Sequence, residues 1–207
     1  GFDLDTNATS HFLYNNLNHL SLWLFPQADP VWVLWGVTGL FALLTLGRLY
    51  QHLRLFVTPL LAWVGVGVLA VSFSWWRQAV IIEVYTLSAF LALSAWHALV
   101  QDLRGQTYGR APVVGFWLGL ALLTHIQHVL LLPVAGLYAW RGLFQAPRLV
   151  AGGALLFVLL SSWLFILPLW LDNHPWWWVF AEPSAGNQVF ALSIAGVLGG
   201  FFRSLAF

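Results

Sequence analysis

From Pro30 to Gly47, and again from Val57 to Trp76, the chain runs without one charged side chain. A run of roughly 20 apolar residues is what a helix needs to cross the hydrocarbon core of a bilayer. The whole chain follows the same pattern. Of its 207 residues, 60% are hydrophobic and 7% are charged, and the mean hydropathy is +0.81. A soluble domain is about half apolar and a quarter charged. The expected fold is therefore all-α: a polytopic helical membrane protein with about six to seven membrane segments, preceded by an interfacial amphipathic helix.

Composition also closes several routes to function. The net charge is +1, with no basic run, so nucleic acid is not an expected partner. Without cysteine, neither disulfides nor thiol chemistry is available. All eight basic residues other than histidine are arginine. The chain begins at Gly1 and contains no Met, so it is expected to be part of a longer or processed protein.

Read in order, residues 1–207 form one membrane domain. Residues 1–29 are an outer loop with an amphipathic helix between His11 and Phe25. Its polar face carries His11, Asn15 and Asn18, and its apolar face Leu13, Leu17, Leu20 and Leu24. This helix either anchors at the interface or lines a site. The bundle over 30–171 has spans at Pro30–Tyr50, Val57–Phe73, Val80–Val100 and Leu149–Leu171, with a longer stretch at Pro112–Trp140. An outer loop at 172–187 and a last segment at 188–207 complete the chain. Trp176, Trp177 and Trp178 in that loop suit an aromatic belt or a stacking platform.

Arginine placement resolves Pro112–Trp140. If it is a hairpin of two short helices meeting near His125, then Arg48, Arg54, Arg104, Arg110, Arg141, Arg148 and Arg203 share the cytoplasmic side. A single long helix would put Arg141 and Arg148 outside, against the positive-inside rule. The hairpin makes His125, Gln127 and His128 an outward tip. Only Arg77 then lies on the outer side, with Asp3, Asp5, His11 and Glu83.

A charge at the edge of an apolar layer points to function, with structural pairing as the alternative. Arg77 and Glu83 are such charges, and they either pair with each other or serve a site. No phosphate loop, dinucleotide fingerprint or nucleophile elbow is present, and His125 with His128 is a weak metal signal. No cofactor is expected. Carboxylates, one arginine and histidines on one face suit an anionic lipid-linked substrate. The arginine would hold a phosphate and a carboxylate would act as general base.

The stretch Ser74-Trp75-Trp76-Arg77-Gln78-Ala79 followed by Glu83-Val84-Tyr85 resembles a signature of a bacterial membrane family related to the transmembrane protein O-mannosyltransferases. Gly119–His125, running on to Pro133, resembles a second segment of that family. Ser10–Tyr14 lies where a third, proline-containing motif stands, and here its prolines are missing. The resemblance covers about residues 5–140. It implies a type C glycosyltransferase-like fold and a polyprenyl-phosphate sugar donor. It also implies inverting transfer to a protein or lipid hydroxyl on the periplasmic side of the bacterial inner membrane. On this reading Asp3, Asp5 and Glu83 are the candidate catalytic carboxylates. Arg77, His11, Tyr85, His125 and Gln127 are the candidate substrate-binding residues. The alternative is a non-catalytic integral-membrane subunit of a larger complex, with membrane lipids and other integral membrane proteins as partners. Its small-residue faces would be Gly152, Gly153, Gly196, Gly199 and Gly200.

Overall fold

A break in the backbone at His125 decides how the second half of the chain is arranged. In the computed structural model, which describes residues 11–163, helix α6 (Ala111–Thr124) stops where His125 becomes extended, at φ −156 and ψ 124. A 3-10 turn over Ile126–Leu131 follows and leads into α7 (Leu132–Leu143). The chain has reversed by then. Tyr138 of α7 stacks on Tyr108, just ahead of α6, at 5.1 Å between ring centroids. The expected hairpin over Pro112–Trp140 is present.

The other helices begin and end for local reasons. α1 (Phe12–Leu24) coincides with the expected amphipathic segment. It docks on α2 and α6, with Tyr14 buried beside Val84, Leu87 and Ala121. α2 (Pro30–Leu53) starts where the Asp29 carboxylate accepts from the Val31 amide at 2.8 Å, with Pro30 at its first position. α3 (Pro59–Ala70) folds back so that Tyr50 meets Trp63 at 4.6 Å. The Ser72 hydroxyl then caps α4 (Phe73–Val80), whose axis is bent 65° from that of α3. The expected span Val80–Val100 begins later, as α5 (Tyr85–Gly105). Ile81 is extended, and residues 81–84 form a turn despite their apolar character. α8 is Pro147–Ser161.

Successive passes alternate in direction. α2 and α5 run parallel, joined by the Thr45 hydroxyl donating to the Thr86 carbonyl at 3.2 Å and by the His52 and His97 rings at 5.7 Å. α6 and α8 also run parallel. Gly153 lies against Ala111 and Gly115, and Gly119 lies against Phe157 and Leu160. The result is two distinct ends. Arg48, Arg54, Arg104, Arg110, Arg141 and Arg148 occupy turns and helix ends at one of them. Arg77, Glu83 and the His125 tip occupy the other.

Hydroxyl residues and one carboxylate are buried among leucines such as Leu87, Leu91, Leu118 and Leu123. Thr38, Thr86 and Thr124 are fully buried, and Ser94 and Asp102 nearly so. Large apolar side chains face outward, with Leu60 73%, Val71 84% and Leu130 78% exposed. Small and hydroxyl residues at helix contacts, under an apolar exterior, are also what helices packed in lipid show.

Length limits what can be read as spanning. Among the described residues, only α2 is long and apolar enough to cross a bilayer as one helix, and α3 with α4 adds a second if the bent pair counts as one span. The count of six to seven spans is not supported by this measure. α3, α6, α7 and α8 have 12, 14, 12 and 15 residues. At 1.5 Å per residue they measure about 18–22 Å, against a core of about 30 Å. α5 is long enough but carries Ser88, Ser94, His97, Gln101, Asp102 and Arg104. One expected partner-facing residue is corrected as well. Gly153 is used inside the chain, against α6. Gly196, Gly199, Gly200, the segment beyond Trp163 and its Trp176–Trp178 run lie outside the described residues.

A Cβ at Gly115 would collide with the backbone of Gly153, and one at Gly119 would come within 2.8 Å of Leu160 Cβ. Gly136, by contrast, has nothing within 4 Å of its Cβ position. Gly115→Val should therefore destabilise the protein by about 1–3 kcal/mol or more, the usual range for overpacking. Gly136→Ala should be near neutral or slightly stabilising. Thermal unfolding in detergent distinguishes the two.

Candidate polar site at the histidine end

His11 enters α1 in the left-handed region, at φ 65 and ψ 54, an uncommon conformation for a residue with a Cβ. This puts its ring across the end of α6. Its Nδ1 lies 3.1 Å from the Thr124 carbonyl, and its ring centroid lies 4.8 Å from that of His125. A carbonyl can only accept, so His11 Nδ1 carries a proton, and in the neutral ring its Nε2 is the acceptor.

The two neighbouring histidines are fixed by the same reasoning. The Gln127 amide donates to His125 Nδ1 at 3.2 Å, so the neutral His125 ring is protonated at Nε2. His128 Nδ1 donates to the Ala121 carbonyl at 2.7 Å. Its Nε2 then accepts from the Ser88 hydroxyl at 3.1 Å. The end of the bundle thus offers one acceptor nitrogen, on His11, and one donor, on His125. Among the described residues, no group of three histidine or carboxylate side chains is placed to hold a metal ion.

Glu83 and Val84 close the turn ahead of α5, and Tyr85 is the first residue of that helix. Val84 is 1% exposed and belongs to the cluster that holds Tyr14 and Ala121, so the turn sits beside the roots of α1 and the α6 tip. Glu83 and Tyr85 flank it and are exposed. Arg77 is also exposed, on the last turn of α4. Among the described residues no ion pair joins Arg77 to Glu83, which removes the simplest structural role for either. The site therefore brings together His11 and His125 directly, with Glu83 and Tyr85 adjoining. Gln127 is exposed and contributes its backbone amide. Asp3 and Asp5 lie outside the described residues.

Sequence reasoning missed Ser88. Its only signal is its position one turn beyond Tyr85 in α5, and its partner lies 40 residues away. Tyr14, at the end of the motif that lacks its prolines, has a buried hydroxyl with no partner among the described residues.

Compared with known proteins, the chain matches no family model, and neither a curated protein nor a solved structure is detectably similar to it.

Burial pushes His125 down from 6.5 to about 4, with the nearby His11 and His128 adding to the effect. The folded pKa lies below the unfolded one, so the unfolded chain binds more protons as pH falls. His125 thus contributes stability that is present above about pH 6.5 and is lost as pH drops toward 4. The melting temperature should fall through this window more steeply for the native chain than for His125→Asn, measured by thermal unfolding across pH.

Proposed function

We propose that the chain is a type C glycosyltransferase-like membrane protein that uses a polyprenyl-phosphate sugar, with its site at the histidine end. The observation that carries this reading is the meeting of three separated segments. His11 stacks on His125, 114 positions further along, and its ring reaches Thr124 across a separation of 113 residues. The Glu83-Val84-Tyr85 segment packs beside both through Val84, Tyr14 and Ala121. These are the segments whose residues carry the resemblance to the O-mannosyltransferase-related family.

The finer topology we propose has six crossings in the described residues: α2, α3 with α4, α5, α6, the 3-10 turn with α7, and α8. Alternating directions, an apolar exterior and six arginines at one end support it. Helices shorter than the core are accommodated by local thinning of the bilayer. The arginine end then faces the cytoplasm of a bacterial cell, and the histidine end faces the periplasm.

In the reaction, a carboxylate takes the proton of the acceptor hydroxyl. The hydroxyl oxygen forms a bond to the anomeric carbon as the bond from that carbon to the phosphate oxygen breaks. The lipid phosphate departs with the electron pair. Asp3 or Asp5 is the base in this scheme, and Arg77 neutralises the departing phosphate. Glu83 and Tyr85 orient the sugar hydroxyls, and His125 Nε2–H supplies a donor beside them.

Reconstituted protein supplied with polyprenyl-phosphate sugars should release free polyprenyl phosphate and form a glycosylated acceptor. Arg77→Gln and Glu83→Gln should each lower the rate by about 10²-fold or more while leaving the melting temperature unchanged. Turnover that survives both substitutions undiminished would contradict the assignment. No turnover with any donor would favour the non-catalytic subunit.

A further inference from the structure

At the opposite end of the bundle, an open groove of about 420 Å³ lies between the ends of α2 and α5 and the start of α6. Arg48, Arg54 and Arg110 line it, together with His97 and Gln101. A pocket that accepts a small ligand measures about 300–1,000 Å³. The sequence accounts for these arginines only as topology signals. Their convergence on one concave surface asks for a further reason.

The charge is not balanced within the described residues. Asp29 and Glu83 lie at the far end. Asp102 is nearby, but it is already engaged by the Tyr138 hydroxyl at 2.6 Å, the Arg110 amide at 2.9 Å and the Thr107 hydroxyl at 3.0 Å. Two helix C-termini and Asp102 subtract about two charges, and the start of α6 returns about half of one. Three guanidinium groups still leave the groove positive. They are also under-used. Arg48 donates from one Nη to Gln51 at 2.9 Å, while its Nε is buried without a partner. Arg54 makes one long contact, to the Val57 carbonyl at 3.4 Å.

A second observation points to a ligand independently of charge. His97 lines the groove and is only 6% exposed, yet its Nδ1 has no hydrogen-bond partner among the described residues. The His52 ring, which does not line the groove, meets His97 edge-on, and its Nδ1 also lacks a partner among the described residues. An unpartnered buried ring nitrogen is costly, and a turn of the His97 ring into the groove it lines would let a bound oxygen satisfy it.

We propose that this groove binds a phosphate group, carried either by an anionic lipid headgroup or by a small phosphorylated molecule. Arginine forks match phosphate oxygens bidentately, and basic pockets between helices at a membrane face suit lipid phosphates. The site is separate from the histidine end and does not depend on its chemistry.

The test uses the full chain in two formats. In detergent, the melting temperature is followed against inorganic pyrophosphate, with sodium chloride matched for ionic strength. In nanodiscs, phosphatidylcholine is compared with phosphatidylcholine plus phosphatidylglycerol. Saturable stabilisation is expected in at least one format. Arg54→Gln and Arg110→Gln, both on exposed side chains, should raise the half-saturating concentration, or the phosphatidylglycerol content required, by about tenfold. Arg148→Gln, at the same end but outside the groove, should leave it unchanged. A response to pyrophosphate identifies a soluble source, and a response only to phosphatidylglycerol identifies a lipid. Absence of stabilisation in both formats would overturn the proposal. So would an Arg148→Gln effect as large as that of Arg110→Gln, since that reports general surface charge.

Discussion

The contact on which the arrangement depends is the backbone-to-backbone approach of α6 and α8. Gly115 and Gly153 meet with no side chain between them, and Gly119 admits Leu160 one turn further on. With α8 held parallel and close to α6, α7 must run the other way, outside that pair. The chain therefore reverses at His125, and the two ends of the bundle acquire different chemistry. Within lipid there is little hydrophobic gain from burying leucine, so close approach and dispersion carry such contacts. Thr45, Thr86 and Thr124 are also buried, beside leucines such as Leu87 and Leu123, while many other large apolar side chains face outward. The Thr45 and Thr124 hydroxyls donate to the carbonyls of Phe41 and Leu120 in their own helices, and Thr45 also reaches across to Thr86.

Two polar regions follow from this alternation. At the histidine end, three rings are locked in defined tautomers by backbone groups, and no ion pair joins the flanking Arg77 and Glu83. At the arginine end, the one nearby carboxylate is consumed by three donors, which leaves guanidinium groups facing a groove. On the proposed function and the proposed groove, the arginines at the two ends would each meet a phosphate, on opposite sides of the proposed bilayer. A chain that handles a lipid phosphate at one face and senses anionic phosphate at the other would be consistent with both.

Much of this was legible from residues in order. The amphipathic spacing of His11, Asn15 and Asn18 marked α1 to within a residue, because a polar stripe at helical period belongs to a helix with one wet face. The reversal near His125 was legible because a straight helix would have placed Arg141 and Arg148 with the tip. Arginine segregation followed from the same rule. The start of α5 was not legible, since Val80, Ile81 and Ile82 look like helix interior and only the extended backbone at Ile81 reveals the turn. Gly153 pointed outward to a partner on sequence and inward to α6 in the structure, because small residues announce a close approach without saying to which helix. Ser88–His128 and His52–His97 were invisible for a related reason. Each joins residues at least 40 positions apart, and neither has a spacing signature. Hydropathy runs do not show where helices break, as between α3 and α4 and at His125.

The central claim is that the bundle crosses a membrane with its arginines on one side and its histidines on the other. The chain contains no cysteine, so single cysteines can be introduced without further change. Gln127→Cys and Arg141→Cys, expressed separately in bacterial cells, would be challenged with a membrane-impermeant maleimide before and after lysis. The account predicts labelling of Gln127→Cys in intact spheroplasts and of Arg141→Cys only after lysis. Labelling of Arg141→Cys in intact spheroplasts, or recovery of both variants in the soluble fraction, would contradict it.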